Sequence, residues 1–196
     1  MKLLLFFTII FISCNESNNN KVLPTIISEQ KVDSFFPVTS FLKGQFAQFN
    51  SLPATPLHTI TINNKTDSIW IKREQLSTLL AGFLSPQITE TNLLSYFKET
   101  SFNDLTLNSI TLTYAPVKLL PDSIPLLNWD VYINPESGKI QKIYIVKQFK
   151  NKEDLIREQL TWQTNKSATI TTLIDKNKGK KMQVFRVDKF IWNFNE

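Results

Sequence analysis

The stretch 128–146 constrains the fold more than any other part of the chain. It reads Asn-Trp-Asp-Val-Tyr-Ile, then Asn134-Pro135-Glu136-Ser137-Gly138, then Lys-Ile-Gln-Lys-Ile-Tyr-Ile-Val. Proline presets φ for a tight turn, and glycine tolerates the left-handed position that closes a hairpin. In the first arm Trp129, Val131 and Ile133 share one face while Asp130 and Tyr132 share the other. A period of two means a strand with one buried side. The second arm is almost continuously apolar, which suits a strand covered on both faces in mid-sheet.

The same reasoning extends along the chain. Ser34-Phe35-Phe36-Pro37 opens a helix in which Val38, Phe41, Leu42, Phe46 and Phe49 make one apolar stripe, ended by Asn50-Ser51 and Pro53. Residues 57–63 and 68–72 read as two strands around a turn at 63–67. Residues 75–83 read as a short helix stopped by Ser85-Pro86. Thr89 is placed to cap a further helix burying Leu93, Leu94 and Phe97. Strand patterns follow at 105–114, 160–163, 168–174 and 182–194, with short polar turns between the later ones. The expected class is α+β: an antiparallel meander in the C-terminal half, with N-terminal helices packed on a sheet. Pro116, Pro121 and Pro125 mark a loop that is a candidate sub-boundary near 116–125.

The first residues carry a different signal. Met1-Lys2 is followed by an apolar run to Ile12, broken only by Thr8. Such a run is too short for a bilayer core, which needs about 20 residues, but suits a signal peptide. Phe11-Ile12-Ser13-Cys14 follows directly and resembles the lipobox of bacterial lipoproteins, with Phe11 where leucine is usual. The resemblance covers only the first fourteen residues. It implies a signal peptide at 1–13, cleavage before Cys14, and acylation of Cys14 by chains of the palmitate kind. Residues 14–27 would be a lipidated tether and 28–196 the globular domain. Two or more acyl chains, at about 0.8 kcal/mol per buried CH₂, hold a protein stably at a membrane. Asn15 is not the aspartate that retains many lipoproteins at the inner membrane, so the resemblance implies the outer membrane. Abundant Asn, Lys, Ile and Phe resembles lipoproteins of the Bacteroidetes type. Asp67-Ser68-Ile69 and Asp122-Ser123-Ile124 resemble the sites that this group O-glycosylates, making Ser68 and Ser123 candidates.

Several chemistries are poorly served by this composition. The chain has 1 histidine and 1 cysteine. With Cys14 acylated there is neither a disulfide nor a Cys-His pair, and a zinc ligand set is missing. No Gly-x-Ser-x-Gly elbow or phosphate-cradling glycine loop occurs. Asn63, Asn64 and Asp67 lack calcium-loop spacing. His58, on a strand face with Ile60 and Ile62, reads as a satisfied structural residue. Asp130 beside Tyr132, and Glu153-Asp154, are carboxylates with no accompanying motif. Lys176, Lys178, Lys180 and Lys181 surround Gly179 at a turn, which reads as a solvated hairpin tip. The formal charge of +5 is interspersed rather than clustered, so no nucleic-acid partner is expected.

Three functional classes stay open. The leading expectation is a non-enzymatic, lipid-anchored envelope module that binds a protein or lipid partner or supports an assembly, without cofactor or metal, with Trp129, Tyr132 and Trp162 as candidate binding surface. The alternatives are a carrier of a hydrophobic ligand on a helix-covered curved sheet, and a hydrolase using a carboxylate site.

Overall fold

Among the described residues, alternating β-branched and aromatic runs fold into nine strands. They are β1 (Leu57–Ile62), β2 (Lys65–Trp70), β3 (Phe97–Asp104), β4 (Ser109–Pro116), β5 (Leu126–Ile133), β6 (Ile140–Lys150), β7 (Asp154–Gln163), β8 (Ser167–Lys176) and β9 (Gln183–Ile191). Two helices precede the main run, α1 (Val38–Ser51) and α2 (Arg73–Leu79), with a 3-10 turn at Ala81–Leu84. The structure is a computed structural model and describes residues 35–51, 53–104, 106, 108–151, 154–176 and 181–194. Cys14, the tether and the lysines at 178 and 180 lie outside the described residues, as does Glu153. The described residues fall within one compact unit, Asp33–Glu196. None of its described helices is long and apolar enough to cross a membrane.

All nine strands join one sheet in the order β2-β1-β9-β8-β7-β6-β5-β4-β3. Strands β3 to β9 form an antiparallel meander, each beside its sequence neighbour, and the β1–β2 hairpin docks antiparallel onto β9. The proline-rich loop after β4 joins two neighbouring strands of this sheet, because β4 and β5 pair directly.

Strand registers divide the sheet into two chemically distinct faces. One row runs Tyr114, Trp129, Ile145, Leu160, Ile170, Asp188, Ile60 across seven strands. Beside it run Leu112, Val131, Ile143, Trp162, Ala168, Phe190, His58. These make an aromatic face. Helix and loop side chains meet it: Phe46 lies 5.1 Å from Trp162, Phe49 5.5 Å from Trp192, Phe83 5.5 Å from Trp162, and Phe35 stands edge-on to Tyr114 and Trp129. The opposite face carries the row Thr113, Asp130, Tyr144, Thr161, Thr169, Lys189, Thr59, Ser68. It is rich in threonine and largely half-exposed.

Four expectations from sequence need correction, the first being the strand at 105–114, which is β4 at Ser109–Pro116 with turn residues at 106 and 108. No helix follows Thr89. Residues 92–96 are a turn, Thr89 N–H and the Gln87 carbonyl are both engaged by the Asn92 side chain, and Phe97 already starts β3. Local asparagine bonding competes with helical bonding, and pairing with β4 takes over. The β1–β2 connection is only Asn63-Asn64, both with positive φ (49° and 63°), so β2 begins at Lys65. Finally, β7 starts at Asp154 rather than at 160. Its charged first half was hidden from a hydrophobic pattern because Arg157 and Glu158 are matched by Gln148 and Lys147 on β6.

Candidate functional site

The two tryptophans read from sequence as binding surface are core. Trp129 is 0% and Trp162 1% exposed. Trp129 stacks on Tyr114 with centroids 4.6 Å apart, and Trp162 is enclosed by Phe46, Phe83 and Trp192. Of the three, only Tyr132 reaches solvent, and it does so on the opposite face. The period of two places Tyr132 on the other side from Trp129. It does not reveal which side is buried.

His58 is tied into the fold by two contacts. Its Nε2–H donates to Asp188 Oδ1 at 2.8 Å, and its ring stacks on Phe190 at 4.2 Å. Arg186 donates to both oxygens of the same carboxylate, at 2.5 and 2.7 Å. Burial pushes the Asp188 carboxyl up, but the hydrogen bonds and charges of Arg186 and His58 outweigh it and hold the group below its ordinary range. Every oxygen in this triad is engaged, which favours a scaffold over a reactive centre. Lys147 is buried as well; its ammonium donates to the Gly82 carbonyl, and burial lowers its pKa although Glu158 partly opposes the shift.

The threonine-rich face holds the less settled chemistry. Asp130 sits between Thr113 and Tyr144 across the strands, with Tyr132 two residues along β5. Burial raises its carboxyl above the ordinary range despite a Thr113 hydrogen bond and the Lys142 charge, and Oδ1 has no hydrogen-bond partner. Burial, with the Asp130 charge, also raises both Tyr132 and Tyr144. Directly opposite Tyr132 on β6, Lys142 places its ammonium 3.7 Å from the tyrosine ring centre, a cation–π contact. A shifted carboxyl beside aromatic rings on an accessible face is the kind of grouping that binding sites collect. Among the described residues, no group of three or more His, Cys, Asp or Glu stands ready to hold a metal.

The chain matches no family model, no curated protein and no solved structure. Asp130 has no second carboxyl as a cross-strand or i±2 neighbour, so it lacks the partner that a two-carboxylate hydrolase uses. Ser68 lies on the exposed edge strand β2, its hydroxyl donating to Thr59 at 3.3 Å, and Ser123 lies in an exposed turn. Both candidate glycosylation serines are therefore accessible. A groove of about 580 Å³ runs beside the proline-rich loop, walled by Leu119, Leu120, Ile124 and Phe149.

Proposed function

We propose that this chain is a non-enzymatic binding module, anchored to the outer membrane of a bacterial envelope through acylated Cys14, which meets its partner with the threonine-rich face. In this reading α1 and the α2–3-10 segment cover the aromatic face, leaving the other face for recognition. One observation carries the choice. Phe83, Trp129, Tyr114, Trp162, Leu42 and Leu80 are each at most 1% exposed, so the aromatic face, where a helix-covered carrier would hold an acyl chain, is filled by the chain's own side chains. That supports a binding module over a lipid carrier. The half-exposed Asp130, Tyr132, Lys142 and Tyr144 supply the polar and aromatic contacts such a module requires.

Two measurements test the reading separately. Metabolic labelling with an alkyne fatty acid is expected to mark the wild-type chain, and Cys14→Ser is expected to lose both the label and the membrane fraction. A Cys14→Ser protein that still pellets with membranes refutes the anchor. Cross-linking in intact envelope is expected to join a defined partner to the wild type, and to fail for Lys142→Glu combined with Tyr144→Ser. Stoichiometric lipid in native mass spectra, with no partner, would instead favour the carrier.

A further inference from the structure

A pocket of about 370 Å³ opens where β4 begins and the β7–β8 turn closes, lined by Ser109, Tyr132, Gln141, Lys142, Gln163, Thr164 and Lys166. Ser109, Tyr132, Lys142 and Gln163 all belong to the threonine-rich face. The volume lies at the low end for small-molecule sites, which run from about 300 to 1,000 Å³. A single sugar-sized group fits that scale.

The lining is one-sided in charge. Among the described residues that line it, Lys142 and Lys166 are the only ionisable groups besides the Tyr132 phenol, so neither lysine has a carboxylate partner there. Lys142 is held in place by its contact with the Tyr132 ring. The nearest carboxyl along β5 is Asp130, whose ionisation is opposed by burial. Beyond charge, the wall contains two hydroxyls that the fold leaves unmatched. Ser109 is 2% exposed, and neither its Oγ nor Thr164 Oγ1 has a hydrogen-bond partner. Buried polar atoms are nearly always paired, so two orphans bordering one pocket are unusual. A hydroxyl can both donate and accept. Gln163 accepts from Ser167 through its carbonyl oxygen at 2.9 Å, which leaves its amide N–H groups as donors toward a ligand.

Lysines select an oxyanion; paired hydroxyls and amides select a polyol. The geometry points to this pocket as a binding site for an acidic monosaccharide unit, a sugar bearing a carboxylate or a phosphate. Lys142 and Lys166 take the oxyanion, while Ser109, Thr164 and Gln163 take the hydroxyls. The inference rests on the reading of the threonine-rich face as the recognition surface, and it names the ligand class for one end of that face. A neutral sugar satisfies only half of the wall, and a bare anion only the other half.

Calorimetric titration of the full chain in detergent separates these cases, using glucuronate, glucose 6-phosphate, glucose and inorganic phosphate as probes. At least one acidic sugar is expected to bind with a Kd between about 10 μM and 1 mM. Glucose and inorganic phosphate are each expected to bind at least about tenfold more weakly, the loss of roughly one charge-assisted hydrogen bond. Preference for glucuronate or for glucose 6-phosphate then identifies the source of the oxyanion. Lys142→Gln with Lys166→Gln is expected to abolish binding while lowering the thermal midpoint only slightly, by the loss of the Lys142–Tyr132 contact, since Lys166 is exposed and Lys142 half-exposed. Ser109→Ala is expected to weaken the acidic sugar without lowering the midpoint, because its hydroxyl bonds nothing in the free protein. Silence from all four probes overturns the site, as does glucose binding as tightly as the acids or a double variant of undiminished affinity. If the probes fail while the envelope cross-link persists, the pocket is wrong and the binding module stands.

Discussion

Replacing Trp162 distinguishes a core residue from a recognition residue, and the structure fixes the size of the effect. The indole is 1% exposed and meets Phe46, Phe83 and Trp192 at 5.0–5.5 Å. Truncation to alanine removes all three contacts and leaves a cavity, costing about 3–5 kcal/mol. For a domain of this size that is a fall in Tm of about 6–20 °C, at about 2–4 °C per kcal/mol. Phenylalanine behaves differently. It gives up ring atoms worth about 1–2 kcal/mol of burial. It also deletes the indole N–H, which is buried with no hydrogen-bond partner, an unmet donor of the kind that costs about 1–3 kcal/mol. The two terms nearly cancel, so Trp162→Phe is expected within about 1 kcal/mol of wild type by urea denaturation. If phenylalanine proves as damaging as alanine, the indole N–H has a partner after all and the cancellation is wrong.

Other perturbations probe separate parts of the fold. Gly138 has φ +65° with open space where a Cβ would sit, so strain alone should order the variants: Asn mildest, Ala costing about 1–2 kcal/mol, Val more; equal melting midpoints for Gly and Val would refute this. Asn64→Gly is expected to raise stability by a few tenths to about 1 kcal/mol, since φ is 63° there and glycine suits this turn; a lowered denaturation midpoint counts against it. The depressed pKa of Asp188 means that its contribution is present above its unfolded pKa of about 4 and is lost as pH falls through the lower folded value. Asp188→Asn should therefore narrow the stability gap to wild type progressively as acid is added, and a gap independent of pH would contradict the assignment. Asp130 has the opposite sign: its contribution is present below about pH 4 and is lost as pH rises through the raised folded value. Asp130→Asn should thus stabilise the protein at neutral pH and lose that advantage in acid.

Much of the fold was legible because period-two patterns survive wherever one face is apolar and the other polar. The β5–β6 hairpin, α1 and the positive φ of Gly138 all follow from that pattern and from turn chemistry. Strand β3 was not legible. Phe97 is its one buried anchor, and the exposed edge strand that follows, Lys98-Glu99-Thr100-Ser101, bears little apolar signal. The polar pocket was equally hidden, because Ser109, Lys142 and Thr164 are distant in sequence and ordinary in type. Only the registers of β4 to β7 bring Ser109 and Lys142 to one end of one face, where Thr164 in the turn after β7 joins them at the pocket. His58 illustrates the same limit. Its apolar strand neighbours suggested a structural role, but the carboxylate it bonds lies 130 residues away.

That separation has a consequence in time. Among the described strands, the β1–β2 hairpin finds its sheet neighbour only in β9, the last of them in sequence. A two-stranded hairpin is marginal by itself, although it forms within microseconds. During synthesis at about 5–20 residues per second, the 130 residues between His58 and Asp188 take roughly 6–26 s to follow. For that interval β1 waits with one edge unpaired, exposed to any other strand that meets it. A nascent chain cut short before β9 loses not one strand but three, because the first two have nothing to dock against.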